Sequence, residues 1–411
     1  MRRVLAGRAR VVAVLGLVGL VAVAFAAGLL VGWSNGEDRG HDDGPGADGG
    51  DGPPRDATPA AASPPASLVP GPDMEEVAPH DPEKGTGTGS PLDDLRAEMS
   101  VLTDFGQRPD WSPDGTSIVF LDGSPLGDVW SVDVETGETR NLTVDFGDRK
   151  FSRAYYLSNG DLLLCGPTSG PEPTADRPEA GRFTGVMSVF RAPFGEPPVL
   201  LGVSCWEGMA AARSSLRIAW NRSDIDYTDS DLVDRVVNGI TEVWTGELRY
   251  DADRVSIVDA RKVLDREAFG SLAVFEVQGF RPPSDDELFL TAYAYQGGEV
   301  FGLDLETGAL RNYSNSSAYE EAEGVDAAGG SVFVERDLEY GGIEPGALDI
   351  WRLGLDDGSW ERVTFFNRYA PFYASNPSVS PDGDRLAFQL SIDGDTEGRG
   401  DGILLLDLAP G

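Results

Sequence analysis

Carboxylates at alternate positions near the end of the chain form the best candidate for a metal site. Asp393, Asp395, Glu397 and Asp401 follow the D-x-D-x-D-G-x-x-D spacing of calcium loops, with Glu397 in the third acidic place. Calcium takes about six to eight oxygen ligands arranged around a turn. The spacing predicts a calcium site at these four residues, although runs of carboxylates in a chain this acidic also arise as solvated surface. No other cofactor is predicted.

Histidine is nearly absent, which narrows the reactions that the chain can catalyse. The sequence of 411 residues contains two histidines, His41 and His80, and both lie in a segment whose composition predicts disorder. A Ser-His-Asp hydrolase, a histidine general base and a histidine-ligated zinc site all need histidine in the folded part. These sites are excluded, and we expect a protein that is not an enzyme.

The charge balance excludes one class of partner. The chain has 33 Lys and Arg residues against 69 Asp and Glu residues, which gives a formal net charge of −36. A protein that binds nucleic acid by neutralising phosphates needs a basic surface. Nucleic acid is therefore excluded as a partner.

The N-terminal residues have the pattern of a membrane anchor. A basic tail over residues 1–10 precedes an uninterrupted apolar run over residues 11–32. An α-helix needs about 20 apolar residues to cross a bilayer, whereas the apolar region of a cleaved signal peptide is shorter. Ala24-Phe25-Ala26 would also suit a cleavage site, so cleavage is the alternative. The pattern predicts a single-pass transmembrane signal-anchor, with the tail in the cytoplasm and the rest of the chain outside it.

Residues 33–95 have the composition of a disordered linker. They are rich in Gly, Pro, Ala and Asp, contain few large apolar residues and show no hydrophobic period. Such a segment does not bury enough surface to offset the entropy lost on ordering. We expect an acidic tether that holds the following domain away from the membrane.

Six copies of a strand pattern ending in a tight turn divide the rest of the chain. One large apolar residue marks the same position in each copy: Trp130, Met187, Trp244, Phe301, Trp351 and Leu404. A second apolar strand, entered through a turn, precedes each copy. Six units of about fifty residues with several strands each predict an all-β, six-bladed β-propeller over residues 96–411.

The two ends of the repeat region predict how the ring closes. The last copy stops at Gly411, which aligns with Gly137 of the first copy, and so it lacks an outer strand. The sequence VLTDFGQR at 101–108 is similar to the outer strand of the first repeat, NLTVDFGDR at 141–149. We expect an N-terminal strand at about 97–104 to complete the sixth blade and leave only short edges.

Two stretches resemble the WD40-like repeat of the TolB family. Residues 109–120 (PDWSPDGTSIVF), with Asp128-Val-Trp130 and Asn141-Leu-Thr143, carry the resemblance, and residues 376–388 (NPSVSPDGDRLAF) repeat it. The resemblance covers about residues 97–411. It implies a six-bladed propeller used as an extracytoplasmic protein-binding platform. The α/β domain that precedes the propeller in TolB is replaced here by the anchor and the linker.

The two cysteines are placed to form a disulfide. Cys165 ends the second strand of repeat two and Cys205 begins the first strand of repeat three. Both lie near the same face of adjacent blades, in a compartment that is oxidising if the anchor is correct. The sequence favours a Cys165–Cys205 bridge over two buried thiols.

The hairpin lengths favour one face of the disc for binding. Long connections between the second and third strands occur at about 166–184, 221–241, 335–347 and 391–401. Long loops on a rigid scaffold are the usual place for binding. The main hypothesis is a non-catalytic scaffold that binds an envelope protein or a cell-wall polymer. The alternative is a carbohydrate-active enzyme, in which two carboxylates face each other across the central opening at about 5–9 Å.

Overall fold

The computed structural model describes most of the repeat region and part of the segment before it. The described residues are 64–75, 77, 80–123, 126–146, 150–166, 185–206, 208–223, 239–252, 254–269, 274–293, 295, 297–340, 345–346, 348–393 and 400–408. The predicted basic tail, the predicted anchor at 11–32 and the first half of the predicted linker lie outside them. Within these ranges, no helix is long and apolar enough to span a bilayer.

Short strands separated by Gly, Asp and Asn turns make up nearly all of the regular structure. Two strands precede the repeats: β1 (Ser67–Val69) and β2 (Met99–Thr103). The first group contains β3 (Gln107–Trp111), β4 (Ser117–Leu121), β5 (Val129–Asp133) and β6 (Thr139–Asn141). The second contains β7 (Arg153–Tyr156), β8 (Leu162–Gly166), β9 (Val186–Phe190) and β10 (Val199–Ser204). The third contains β11 (Met209–Ala211), β12 (Arg217–Ser223), β13 (Thr241–Asp251) and β14 (Arg254–Asp265).

The second half of the chain continues the same arrangement. The fourth group contains β15 (Val274–Phe280), β16 (Glu287–Tyr293), β17 (Gly298–Asp304) and β18 (Ala309–Asn312). The fifth contains β19 (Tyr319–Val325), β20 (Ser331–Asp337), β21 (Asp349–Gly354) and β22 (Trp360–Arg362). The sixth contains β23 (Phe372–Val379), β24 (Arg385–Ile392) and β25 (Ile403–Asp407). The helical elements described are short 3-10 turns, at Pro91–Asp94, Val144–Phe146, Arg266–Phe269 and Phe366–Arg368.

Each group is an antiparallel meander, and the last one is completed from the other end of the chain. β2 pairs with β25, with Val101 opposite Leu404, so the sixth sheet has the order β2-β25-β24-β23. The fourth and fifth groups are joined by one bridge between Gly298 and Tyr319. This arrangement confirms the prediction of an all-β propeller fold.

The apolar core lies between neighbouring groups rather than inside any one of them. One cluster joins Val119 of the first group to Leu164 of the second. Similar clusters join each following pair of groups. A sixth cluster packs Ala387 and Ile403 of the last group against Trp111 of the first. Because every sheet is covered on both faces by its neighbours, the apolar strands form a closed series.

A carboxylate and a hydroxyl recur at the same place in three groups. Thr364 Oγ1 donates to Asp349 Oδ1 (2.7 Å) and accepts from the Ile350 amide (2.8 Å). Ser314 Oγ makes the same pair of bonds to Glu299 and Val300, at 2.7 and 3.0 Å. In the first group, the corresponding pair is Asp128 and Thr143. These bonds fasten the start of the third strand to the end of the fourth.

The second half of the predicted linker is packed on the propeller, which corrects its predicted boundary of residue 95. We name residues 64–75, 77 and 80–95 the strap. β1 of the strap pairs in parallel with β18, from Ser67 opposite Ala309 to Val69 opposite Arg311. A capping box at Ser90 begins the 3-10 turn Pro91–Asp94. The composition predicts disorder because the strap has few apolar residues; its partners are strand edges and arginines far away in the sequence.

Candidate functional site

The innermost strands of the six groups enclose a cavity of about 70 Å³. Every group contributes to its wall, because β3, β7, β11, β15, β19 and β23 all run along it. The polar residues of the wall are Arg108, Asp110, Tyr155, Arg213, Gln278, Glu323, Asn376 and Ser378. Convergent polar groups are what orient a ligand in a binding site, and a cavity of this volume admits one small group of a ligand rather than a whole molecule. We refer to it as the channel site.

Four of the innermost strands carry a β-bulge at the cavity. In β19 the register with β20 shifts between Ala322 and Gly324, so Glu323 is the extra residue. The register of β15 shifts in the same way around Gln278. In β3 and β23 the shifts enclose Arg108 and Asn376.

Bulges redirect side chains and are frequent next to active sites. Here the residues at the four bulges (Arg108, Gln278, Glu323 and Asn376) all line the same cavity. Arg108 and Asn376 have φ values of 55° and 48°, in the left-handed region. This region is uncommon for residues other than glycine, and asparagine tolerates it best. The four bulges therefore act together to aim four polar side chains at one point.

Two glutamates share one amide at this point. Asn376 Nδ2 donates to Glu323 Oε1 (3.2 Å) and to Glu335 Oε1 (3.1 Å). The Asn376 backbone N–H also donates to Glu335 Oε1 (2.5 Å). Glu335 is 4% exposed, whereas Glu323 is partly open to the cavity. The pair thus joins the fifth group to the sixth and presents one carboxyl group to a ligand.

Two further glutamates extend the acidic cluster. Glu321 lies directly opposite Glu335 in the β19–β20 register. Tyr293 Oη donates to Glu276 Oε2 (2.9 Å) and also to Glu321 Oε1. Glu276 forms a buried ion pair with Arg153 (2.9 Å). The cluster of Glu276, Glu321, Glu323 and Glu335 is therefore only partly neutralised by arginine.

Burial and mutual repulsion change the protonation of this cluster. Burial, followed by the charge of Glu321, raises the pKa of Glu335 to about 8. Burial and the neighbouring carboxylates raise the pKa of Glu323 well above its ordinary value. Like charges in a buried site favour the protonated form. Glu335 therefore holds its proton near neutral pH, and the protonated form of Glu323 is favoured beyond its ordinary range.

An ion pair lies at another part of the cavity wall. Asp110, which is 2% exposed, pairs with Arg213. The same carboxylate accepts from the Tyr156 backbone N–H (2.7 Å) and from Ser378 Oγ (3.3 Å). These bonds connect the first, second, third and sixth groups. The pair of Asp110 and Arg213 fixes the ring around the channel.

The predicted calcium residues are only partly described. Asp395 and Glu397 lie outside the described residues. Burial raises the pKa of Tyr373, and Asp393 and Asp401 both add to this increase, so both carboxylates lie near that ring. The described ranges contain no group of three or more His, Cys, Asp or Glu residues placed to hold a metal ion. The calcium site stays a prediction.

The two cysteines form a disulfide between the second and third groups. The Cys165–Cys205 bond has a Cα–Cα distance of 6.0 Å. Both sulfurs crowd Gly185, where a Cβ atom would lie 2.5 and 2.8 Å from them. Glycine is therefore required at this position.

Much of the long hairpins that were expected to form the binding face, at about 166–184, 221–241, 335–347 and 391–401, lies outside the described residues.

Four channel residues that the sequence predictions missed share a local sequence pattern. In each bulged strand, the polar residue is followed by Pro or Gly, as in Arg108-Pro109 and Glu323-Gly324. Pro and Gly inside a strand pattern often mark a bulge. The sequence does not show which strands surround the channel. The pattern alone therefore does not predict that these four dipeptides lie around one cavity.

Comparison with known proteins supports the fold alone. The sequence matches no protein-family model and no curated protein. The structure is similar to the β-propeller domain of the Trilobed protease from Pyrococcus furiosus, at 11% identity and a TM-score of 0.41, over 73% of this chain and 78% of that one. It is also similar to TolB from Acinetobacter baumannii, at 14% identity and a TM-score of 0.37, over 86% and 84%.

A third similarity corrects one prediction. XC5397 from Xanthomonas campestris, described as a gluconolactonase, is 15% identical with a TM-score of 0.47, over 86% of this chain and 99% of that one. Enzymes are thus among the proteins of similar fold. The prediction that the chain is not an enzyme is therefore contradicted, and similarity at this level assigns no activity to the chain.

Proposed function

We propose that this chain is a six-bladed β-propeller that binds its ligand at the channel site. Six four-stranded groups and six apolar clusters between successive groups support the blade count. The pairing of β2 with β25 supports closure of the ring by the N-terminal strand.

The single observation that carries this proposal is the set of four bulges. Bulges are over-represented next to active sites, so four of them around one cavity support a functional role for it. They place Arg108, Gln278, Glu323 and Asn376 around one cavity. Together these side chains offer a cation, a carboxyl group and two amides, which suits a ligand rich in hydroxyl, amide or ammonium groups.

We further propose that the propeller works outside the cytoplasm. The apolar run at 11–32 would anchor it in the cell membrane, and a disulfide is the bond expected of an oxidising compartment. A cell-wall polymer or an exposed segment of an envelope protein carries the hydroxyl, amide and ammonium groups that the channel site fits.

Binding of defined probes tests the proposal. We would titrate the full chain by calorimetry with cell-wall oligosaccharides and with peptides that end in lysine. Glu323→Gln should weaken binding of the best probe by about tenfold. The reason is that a hydrogen bond in which the Glu323 carboxyl group or the ligand is charged contributes about 1.5–3 kcal/mol. Glu361→Gln, an exposed change on β22, is the matched control. A chain that binds none of the probes, or a Glu323→Gln variant that binds as well as the control, contradicts the proposal.

A second candidate function is glycoside hydrolysis, with Glu323 facing the substrate and the buried Glu335 beside it as the second carboxyl group. Their two Oε1 atoms accept from one nitrogen, so they lie within the upper separation, about 9 Å, that paired catalytic carboxyl groups use. A raised pKa also suits a general acid. Release of reducing ends from cell-wall oligosaccharides, lost in both Glu323→Gln and Glu335→Gln, would support this function. Binding without any release would leave the channel as a binding site.

A further inference from the structure

Three arginines and three aromatic rings alternate along the outer edge of the fifth group and the crossover after it. Their order is Trp360, Arg336, Trp351, Arg362, Phe365 and Arg368. Arg336 Cζ lies 3.9 Å from the centre of the Trp360 ring, and Arg362 Cζ lies 4.9 Å from that of Phe365. Stacking of a guanidinium on a ring leaves its N–H edges free to bind carboxylates. We name these six residues the arginine ladder.

The propeller itself holds the ladder in place. Arg336 Nε donates to the buried Glu320 Oε1 (2.8 Å), and Arg362 Nη2 donates to the buried Asp349 Oδ2 (2.6 Å). Together with the rings, these core carboxylates fix the position of both guanidinium groups. Each arginine then has donors left over on its outer side. Contacts within the propeller therefore position Arg336 and Arg362 independently of the strap.

The strap supplies the outer carboxylates. Glu75 pairs with Arg336 (2.5 Å), Asp81 with Arg362 (3.1 Å), and Glu83 Oε2 accepts from Arg368 Nε (2.6 Å). Three acidic residues of the strap thus meet the three arginines of the ladder in chain order, the last two from a turn in which the Lys84 and Thr86 amides donate to the Asp81 and Glu83 carbonyls. This is the pattern by which arginine clusters recognise acidic peptides.

The strap is fixed at its ends and held mainly by polar contacts between them. β1 adds a strand to β18 at one end, and Leu95 packs on the apolar core at the other. Between these ends, the Gly85 and Gly87 amides donate to the carbonyls of Asn367 and Arg368, beside the ion pairs. The Arg368–Glu83 pair is partly exposed and is weakened by salt, whereas the pairs of Arg336 and Arg362 are buried and less screened, so a replacement has to supply equivalent carboxylates.

We propose that the arginine ladder is a binding site for an acidic peptide, with the middle of the strap as its resident ligand. A partner that presents acidic residues at similar intervals replaces the strap there, while β1 and the 3-10 turn at Pro91–Asp94 stay attached. The partner chemistry is that of the strap itself: a segment with carboxylates and few apolar residues. This site is separate from the channel site.

A labelled peptide with the sequence of residues 72–90 tests the proposal in trans. In the wild type the attached strap competes at high effective concentration. The triple variant Glu75→Gln, Asp81→Asn and Glu83→Gln in the full chain removes that competition, so it should bind the peptide at least about tenfold more tightly than the wild type. Arg368→Gln added to the triple variant should reverse the gain.

The controls distinguish a specific peptide site from nonspecific binding. The same peptide with its acidic residues changed to Gln and Asn should not bind. Equal binding of the acidic and neutral peptides, or no gain in the triple variant, overturns the proposal. A second measurement needs no variant and follows hydrogen exchange in the wild type with millimolar acidic peptide added. Exchange should become faster at the Gly85 and Gly87 amides and stay unchanged at the Ser67 amide. Unchanged exchange at Gly85 and Gly87 also overturns it.

Discussion

Asn376 is the side chain on which the geometry of the channel site depends most. Its amide contacts both Glu323 and Glu335, and its backbone N–H holds Glu335 as well. Its φ of 48° places it in the left-handed region, which asparagine accepts more readily than most residues. One residue thus sets the spacing of two carboxyl groups that belong to different strands.

The raised pKa of Glu335 predicts how stability changes with pH. The ordinary value of 4.5 applies to the unfolded chain, and the folded value is about 8. The folded state therefore binds this proton more tightly, and the resulting stabilisation is complete below about pH 4.5 and lost as the pH rises to about 8. Denaturation at a series of pH values should show a smaller fall in the free energy of unfolding, between pH 5 and 8, for Glu335→Gln than for the wild type. An identical fall in both proteins would contradict the protonation assigned to Glu335.

The recurring carboxylate–hydroxyl pair predicts a second change at the residue scale. Thr364→Val keeps the shape of the side chain but removes the hydroxyl that bonds Asp349 and the Ile350 amide. The change removes the bond from the Ile350 amide and one of the bonds to Asp349, which keeps Arg362 and the Phe366 amide, and should lower the free energy of unfolding by about 1–3 kcal/mol. Urea denaturation would measure it, with Thr139→Val on the partly exposed β6 as the control. Equal losses in the two variants would contradict the role of the pair.

At the scale of elements, the bulge on β19 leaves no room for a larger residue at its glycine. A Cβ atom on Gly324 would lie 2.8 Å from the backbone oxygen of Pro377 on β23. Gly324→Ala should therefore separate β19 from β23 and cost about 1–3 kcal/mol. It should also weaken ligand binding at the channel site. Gly330→Ala, in an open turn of the same group, is the matched control. Equal melting temperatures for the two variants would contradict the close approach of β19 and β23.

The disulfide predicts a stability effect between two neighbouring groups. Cys165 and Cys205 are 40 residues apart in the sequence. Closing a loop of this size contributes about 2–4 kcal/mol in the chain-entropy account. The double change Cys165→Ser and Cys205→Ser should lower the free energy of unfolding by about that amount, while thiol titration of the unreduced wild type should find no free cysteine. Two reactive thiols in the unreduced wild type would show that the bond is absent.

The elements also show what the sequence can and cannot predict. The positions marked by Trp130, Phe301 and Leu404 all lie on the third strand of their groups, because a period-two pattern is local. The strap was expected to be disordered from its composition; its order depends on partners that the local sequence does not reveal, because Glu75 and Arg336 are 261 residues apart. The channel residues were missed for the same reason: a bulge is visible only when both paired strands are known.

At the scale of the whole molecule, the core predicts cooperative unfolding. Each apolar cluster of the described residues lies between two groups, and the cluster around Trp111, Ala387 and Ile403 connects the two ends of the repeat region. Loss of one group exposes the faces of its two neighbours. Tryptophan fluorescence and far-UV circular dichroism should therefore report one coincident transition in urea. Separate transitions would mean that the groups do not depend on one another.

Hydrogen exchange with a bound ligand is the most direct measurement of the central claim, that the ligand binds where the four bulges meet. We would compare the full chain alone and saturated with the best-binding oligosaccharide or peptide. The account predicts slower exchange at the bulges of β15, β19 and β23, around Gln278, Glu323 and Asn376, with little change at the strap. Protection confined to the strap and the arginine ladder, or to the outer strands, would contradict it.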